Sequence, residues 1–113
     1  MCGIMTSLNL ELFEELRILL NDNFSYLIDT YISDTTKRVE QLNAAIEIEN
    51  WDEVRTIAHV MKSSSANIGA LELSDISQQI EHDSVYNTRG VKIIYARLRA
   101  ELSAVIVCLN KNR

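Results

Sequence analysis

Residues 59–70 read His-Val-Met-Lys-Ser-Ser-Ser-Ala-Asn-Ile-Gly-Ala, and the fold of the chain follows from their spacing. An α-helix turns about 100° per residue, so apolar residues three and four positions apart share one face. On the same arithmetic His59 lies about 140–160° from the centre of that face, so its ring is expected to point into solvent. The predicted apolar face comprises Val54, Ile57, Ala58, Met61 and Ile68, with Ser65 among them.

The neighbours of His59 on the exposed face favour one kind of chemistry. A neutral imidazole nitrogen is a good nucleophile near pH 7, and His is one of the residues that form covalent intermediates. Lys62 and Ser63 follow at spacings of three and four, with Ala66 one turn further. A phosphoryl group on His59 would meet a positive charge from Lys62 and a hydrogen-bond donor in Ser63. No second His, Cys or carboxylate cluster is placed here for a metal site or a hydrolytic triad.

At these residues the sequence resembles the histidine-containing phosphotransfer (HPt) domains of bacterial and plant two-component relays. The family pattern is His-x-Leu-Lys-Gly-Ser-Ser, followed after a few residues by an apolar residue and Gly-Ala. This chain has Met61 in place of Leu, which is a near-isosteric change, and Ser63 in place of Gly, which is still small. The helical pattern extends the resemblance over about residues 10–110. The matching positions are His59, Lys62, Ser64, Ser65, Ile68, Gly69 and Ala70.

The resemblance implies a phosphorelay intermediate. His59 would accept a phosphoryl group from an aspartyl phosphate on a receiver domain, often one fused to a hybrid sensor kinase. It would then pass the group to an Asp of a second receiver, in a response regulator. Receiver docking is expected at Val60, Ser63 and Ala66, with Mg²⁺ bound by the receiver and no cofactor in this chain. Because the chain has no Gly-rich phosphate loop, we expect a phosphocarrier and not an enzyme.

The resemblance also draws attention to Glu81 on the fourth predicted helix. In the family an amide or acid near this position can bond the ring nitrogen opposite the phosphorylated one, which orients the imidazole and fixes its tautomer. Ordinary surface charge is an equally good interpretation of Glu81. His82, the second histidine, lacks a Lys-Ser-Ser context and is interpreted as solvated surface at a frayed helix end.

Composition limits the class of protein. The chain has 113 residues, of which 47% are hydrophobic and 24% charged, so we expect one globular domain. Three glycines and no proline favour long helices with few loops. The net charge of −5 argues against nucleic acid or an anionic membrane as partner. Cys2 and Cys108 lie far apart in sequence, which argues against a disulfide framework and favours a reducing compartment. No apolar run suits a membrane span or leader, so we expect a cytoplasmic protein. We also expect a monomer.

The apolar spacing predicts an all-α fold: an antiparallel up-down four-helix bundle with an additional short N-terminal covering helix. Residues 1–7 are expected to be a tail and residues 8–113 the phosphotransfer domain. Asn9 and Asn50 are predicted N-caps, and Gly69 is the predicted end of the third helix because glycine readily adopts a left-handed conformation. In chain order the predicted helices span residues 10–20, 24–48, 51–68, 70–82 and 91–111.

Two other functions remain open from the sequence. The bundle is also consistent with the His-bearing phosphoacceptor domain of a histidine kinase, whose ATP-binding domain would lie elsewhere. The main rival interpretation is a helical interaction module without phosphate chemistry, in which His59 is incidental. Labelling by a phosphorylated receiver, by an ATP-loaded kinase domain, or by neither separates the three.

Overall fold

The predicted covering helix and the four longer helices are all present in the structure. The computed structural model describes residues 7–113, and residues 1–6, most of the predicted tail, lie outside it. Ser7 is 3% exposed, so this last residue of the predicted tail is packed against the bundle. The helices are α1 (Leu10–Leu20), α2 (Phe24–Glu47), α3 (Trp51–Asn67), α4 (Leu71–Tyr86) and α5 (Val91–Asn112), with single 3₁₀ turns at Asn21–Asn23 and Thr88–Gly90.

The four long helices form the predicted up-down bundle, elongated to 41 × 25 × 17 Å. Short connections make successive helices antiparallel, and each buries one apolar stripe in a common core. Cys108 is 1% exposed and fills core space as predicted, whereas Cys2 lies outside the described residues. Every residue of the predicted face of α3 is at most 7% exposed: Val54, Ile57, Ala58, Met61, Ser65 and Ile68.

Gly69 follows the last residues of α3 in the chain and also forms a backbone hydrogen bond to the start of α1. Its φ of +89° lies in the left-handed region, as predicted for a glycine that ends a helix. Its carbonyl accepts a 2.8 Å hydrogen bond from the Asn9 N–H, and the Asn9 side chain caps α1 by accepting from the Leu12 N–H at 3.1 Å. A Cβ at Gly69 would lie only 3.3 Å from the Asn9 carbonyl oxygen. The N-terminus of the covering helix therefore contacts the backbone at Gly69, a position that only glycine occupies without strain.

The predicted end of α4 at residue 82 is wrong, because the helix continues to Tyr86. The polar residues that suggested a connection are helical: Asp83 and Ser84 are buried, and the Ser84 hydroxyl donates to the Glu81 carbonyl at 2.7 Å. A serine that returns a hydrogen bond within its own helix satisfies its polarity without ending the helix. His82 therefore lies inside α4 and not at a frayed end.

Within residues 7–113, no helix combines the length and apolar character needed to cross a bilayer. The same residues contain no group of three or more His, Cys, Asp or Glu side chains arranged to hold a metal ion.

Candidate functional site

His59 lies at the middle of α3 with its ring directed into solvent. The side chain is 59% exposed, whereas its sequence neighbour Ala58 is fully buried. The helix that carries it begins at the predicted N-cap, where the Asn50 side chain accepts a hydrogen bond from the Glu53 N–H at 3.2 Å. The predicted solvent-facing position of the imidazole is therefore observed on a helix anchored at its start.

Glu81 of α4 connects His59 to Lys62. One carboxylate oxygen, Oε2, lies 2.9 Å from Nδ1 of His59, and the other, Oε1, lies 3.0 Å from Nζ of Lys62. An ionised carboxylate only accepts hydrogen bonds, so Nδ1 carries the ring proton and donates it. The lone pair is then on Nε2. The register of α4 against α3 thus brings together three of the predicted site residues and leaves Nε2 without a proton.

The charge of Glu81 is secured by its two partners. Partial burial alone would raise the pKa of the carboxyl group, but the hydrogen bonds from Lys62 and His59 and the positive charge of Lys62 outweigh burial and lower the pKa. The carboxylate is 24% exposed, so solvent screens this network only in part. Glu81 is therefore ionised at neutral pH and is not an isolated surface charge.

A second contact holds α3 and α4 at the same level of the bundle. The Ser74 hydroxyl of α4 donates to the backbone carbonyl of Lys62 at 2.8 Å. Lys62 itself is 29% exposed and extends to Glu81, on the Nδ1 side of the ring. Its expected contact with a phosphoryl group therefore requires the ammonium group to leave the carboxylate.

The three predicted docking residues surround His59 to different degrees. Val60 is 37% exposed and Ser63 is exposed, whereas Ala66 is half-buried. All three lie within two turns of the imidazole on α3, and two of them have small side chains. Their contact with a receiver stays a prediction.

Two residues beside His59 were missed from the sequence. Arg55 and Thr56 line a shallow groove together with His59, Val60 and Glu81. They precede His59 by four and three positions, and this spacing, which places residues on one helical face, was the available signal. Arg55 also forms an exposed 3.4 Å ion pair with Asp52. A second cation therefore lies on the exposed face of α3 beside His59.

His82 differs from His59 in its surroundings. Its side chain is 64% exposed, as predicted for a surface residue. Nδ1 lies 3.1 Å from the Asp83 carboxylate, and the ring packs against Tyr86 with centroids 4.7 Å apart. These acidic and aromatic neighbours offer no positive charge to a phosphoryl group.

With this geometry in place, comparison with known proteins gives the family. The sequence model of the Hpt domain matches residues 27–106 and includes both α3 and α4. The chain belongs to the Hpt domain family. The match contains His59, Lys62 and Glu81, so the exposed imidazole and its two partners lie within the family's own domain.

Two solved structures share the fold of this Hpt domain. One is histidine-containing phosphotransfer protein B (HptB) from Pseudomonas aeruginosa PAO1, with a TM-score of 0.90, 22% identity and coverage of 93% of this chain and 92% of that chain. The other is a rice protein assigned provisionally as a histidine-containing phosphotransfer protein, with a TM-score of 0.83, 20% identity and coverage of 93% and 79%. No curated protein matches the chain significantly.

Proposed function

We propose that this Hpt domain is a phosphorelay intermediate that carries a phosphoryl group on Nε2 of His59 between two receiver domains. One observation supports this most directly. The exposed imidazole of His59 donates from Nδ1 to Glu81 at 2.9 Å, which leaves Nε2 unprotonated on the solvent side of an Hpt domain. The donor would be a receiver of a hybrid sensor kinase, and the acceptor a receiver of a response regulator.

The chemistry on this chain is nucleophilic displacement at phosphorus. The Nε2 lone pair forms the N–P bond while the bond from phosphorus to the receiver's aspartate oxygen breaks, and that oxygen keeps the electron pair. Onward transfer reverses these events at the second receiver. Lys62 would neutralise phosphoryl charge and Ser63 would donate a hydrogen bond. The receivers would supply Mg²⁺, so this chain acts as a phosphocarrier without an ATP site of its own.

The docking surface that we propose is small. Val60, Ser63 and Ala66 would contact each receiver in turn, in an encounter that buries about 1,200 Å² or less, as is typical of transient signalling pairs. Because both receivers must reach the same Nε2, they would use overlapping surfaces and bind one at a time. A monomer in the cytoplasm satisfies these requirements.

Phosphotransfer from an isolated receiver tests this function. The intact protein, incubated with a ³²P-phosphorylated receiver from a panel of receiver domains, is expected to acquire an acid-labile, base-stable label. The His59→Gln variant should acquire none and should keep its helical circular dichroism. The His82→Gln variant is the matched control and should label like the intact protein.

Three outcomes would contradict the proposal. Label retained in His59→Gln would exclude His59 as the acceptor. No labelling by any receiver would favour a helical interaction module. Labelling by an ATP-loaded kinase domain but by no receiver would assign the chain as the phosphoacceptor domain of a histidine kinase.

A further inference from the structure

Arg55 is a cation beside His59 to which the proposed phosphotransfer assigns no role. It precedes His59 by one helical turn, and the two side chains line one shallow groove of about 230 Å³ together with Thr56, Val60 and Glu81. Residues four positions apart on a helix are neighbours, with Cβ atoms about 5–6 Å apart. A side chain as long as that of Arg55 can therefore reach a group attached to the imidazole.

The two ring nitrogens of His59 have different surroundings. Nδ1 lies 2.9 Å from Glu81, and Lys62 lies on that side of the ring, 3.0 Å from the same carboxylate. Nε2 is on the opposite edge of the ring. Long side chains on a helix lean towards its N-terminus, so the imidazole extends over the turn that carries Arg55, in agreement with the groove that they share. A phosphoryl group on Nε2 would therefore lie away from Lys62 and within reach of Arg55.

Arg55 is also the cation that leaves its present partner more readily. Its ion pair with Asp52 is long, at 3.4 Å, and the two side chains are 49% and 96% exposed. Exposed pairs of this kind contribute little, because water solvates both charges when they separate. Lys62 is held by Glu81, which is only 24% exposed, so its departure would leave a partly buried carboxylate with one partner fewer.

The guanidinium group of Arg55 suits a phosphoryl group in shape and in charge. It is planar and presents parallel N–H donors that match two oxygens of one phosphate. A phosphoryl group carries nearly two negative charges at neutral pH, which is more than one ammonium group neutralises. Among residues 7–113 the ion-pair partner of Arg55 is Asp52 on the same helix, so the guanidinium can move without loosening the contact between helices.

We propose that Arg55 is a phosphoryl-binding residue, whose guanidinium leaves Asp52 and binds the oxygens of the phosphoryl group on Nε2 of His59. Its charge adds to that of Lys62 and comes from the turn before His59, whereas Lys62 lies in the turn after it. No covalent bond forms or breaks in this exchange. The inference rests on the proposed function, because it concerns the phosphorylated state of His59.

A ³¹P NMR titration of the phosphoprotein tests this contact without a receiver. The protein is labelled with potassium phosphoramidate in a His82→Gln background, in which His59 is the sole histidine. A cation beside the phosphoryl group favours its dianion and so lowers the pKa of its second ionisation. Arg55→Gln should therefore move the midpoint of the titration up by about half a pH unit, which is the effect of one exposed ion pair.

Asp52→Asn tests the exchange of partners. It frees the guanidinium of Arg55, so the midpoint should move down. The double variant Arg55→Gln/Asp52→Asn should have the midpoint of Arg55→Gln alone, because Asp52 acts through Arg55. Arg97→Gln is the matched control, since it removes the same charge from an exposed side chain of α5 and should leave the midpoint unchanged.

The outcomes separate this inference from the proposed function. A midpoint in Arg55→Gln equal to that of the parent protein, or an equal rise in Arg97→Gln, would overturn the inference. It would also be overturned if Asp52→Asn had the same effect with and without Arg55, because the charge of Asp52 would then act on the phosphoryl group directly. Absence of a phosphohistidine signal from the His82→Gln protein would instead overturn the proposed function.

Discussion

At the scale of single residues, the candidate site consists of one exposed imidazole and two oppositely charged side chains that form an ion pair. Nε2 of His59 is the reacting atom that we propose, and the hydrogen bond to Glu81 keeps the ring in the tautomer that leaves Nε2 unprotonated. Lys62 is paired with Glu81 at 3.0 Å and is therefore held close to the ring before a phosphoryl group arrives. If Lys62 binds the phosphoryl oxygens as we propose, holding the cation nearby lowers the conformational entropy that is lost on binding.

Replacing Lys62 by Ala should shorten the lifetime of phospho-His59 at pH 8. Without the ammonium group the phosphoryl charge is not neutralised, and the Nδ1 proton is held more firmly. We expect the phosphoryl group to be lost about two- to fivefold faster, which corresponds to the energy of a partly exposed ion pair. Time courses of acid-labile label in the isolated phosphoprotein measure this. Lys92→Ala, an exposed lysine on α5, is the control; an unchanged lifetime in Lys62→Ala would remove Lys62 from the mechanism.

The sequence predicts the exposed face of the site and not its cross-helix contacts. His59 and Lys62 share a helix, so their relative positions follow from a spacing of three. Glu81 is on another helix, and its distance from His59 depends on the register of α4 against α3. The Ser74 bond to the Lys62 carbonyl contributes to that register, and nothing in the local sequence reports it. The resemblance to HPt domains pointed to Glu81, whereas its bond to Lys62 is visible only in the structure.

At the scale of elements, α1 and α3 are locked together where Gly69 meets Asn9. The 2.8 Å bond from Asn9 N–H to the Gly69 carbonyl fixes the entry of α1, and the left-handed φ of Gly69 turns the chain towards α4. At the other end of α1, Arg17 donates to the Asn112 carbonyl and places its guanidinium 4.8 Å from the centre of the Phe24 ring. The covering helix is therefore attached to three other helices.

Gly69→Ala should destabilise the domain. A Cβ there would require a positive φ in a non-glycine residue and would lie 3.3 Å from the Asn9 carbonyl oxygen. Such strain costs about 1–3 kcal/mol in the free energy of unfolding. Urea denaturation followed by circular dichroism measures it.

Gly90→Ala is the matched control for the Gly69 variant. Gly90 has a φ of −83°, and its added Cβ would come too close only to the end of the exposed Asn87 side chain, at 2.9 Å, which can rotate, while Asp83 Oδ2 at 3.5 Å is in ordinary contact. We expect a change within about 0.5 kcal/mol, as for ordinary surface positions. Equal effects of the two substitutions would contradict the argument from backbone conformation.

The helices themselves follow largely from local sequence. Asn9 and Asn50 begin α1 and α3 as predicted, because each side chain accepts a backbone N–H three residues on. The end of α4 could not be predicted in the same way. Asp83 and Ser84 resemble a turn by residue type, yet burial against the rest of the bundle keeps them helical. Tertiary packing, and not the helix propensity of the local sequence, therefore determines where α4 ends.

At the scale of the whole molecule, the ionised side chain of Glu101 destabilises the folded state at neutral pH. Its Oε2 is buried and has no hydrogen-bond partner among the described residues. Burial raises the pKa of this carboxyl group, and a hydrogen bond from Ser7 opposes the rise only in part. The folded state therefore binds a proton at Glu101 more tightly than the unfolded state does. This contribution to stability is fully present below the ordinary pKa of 4.5 and is lost as pH rises through the folded-state value.

Glu101→Gln should therefore stabilise the domain at pH 7 and have little effect below pH 4, where Glu101 is protonated in both states. The amide has the shape of the protonated carboxyl group and no charge to desolvate. Thermal unfolding of the two proteins across this pH range measures the difference. Glu47→Gln, an exposed glutamate on α2, should show no such pH-dependent gain. A lower melting temperature for Glu101→Gln at pH 7 would show that its charged form is favourable.

The central claim is that Nε2 of His59 carries the phosphoryl group while Nδ1 keeps its proton. Long-range ¹H–¹⁵N NMR of the ¹⁵N-labelled phosphoprotein, prepared by transfer from a receiver, reports both nitrogens of each imidazole directly. The account predicts phosphorylation at Nε2 of His59, a protonated Nδ1 and an unchanged His82. A phosphoryl group on Nδ1, on His82 or on a residue other than histidine would contradict it.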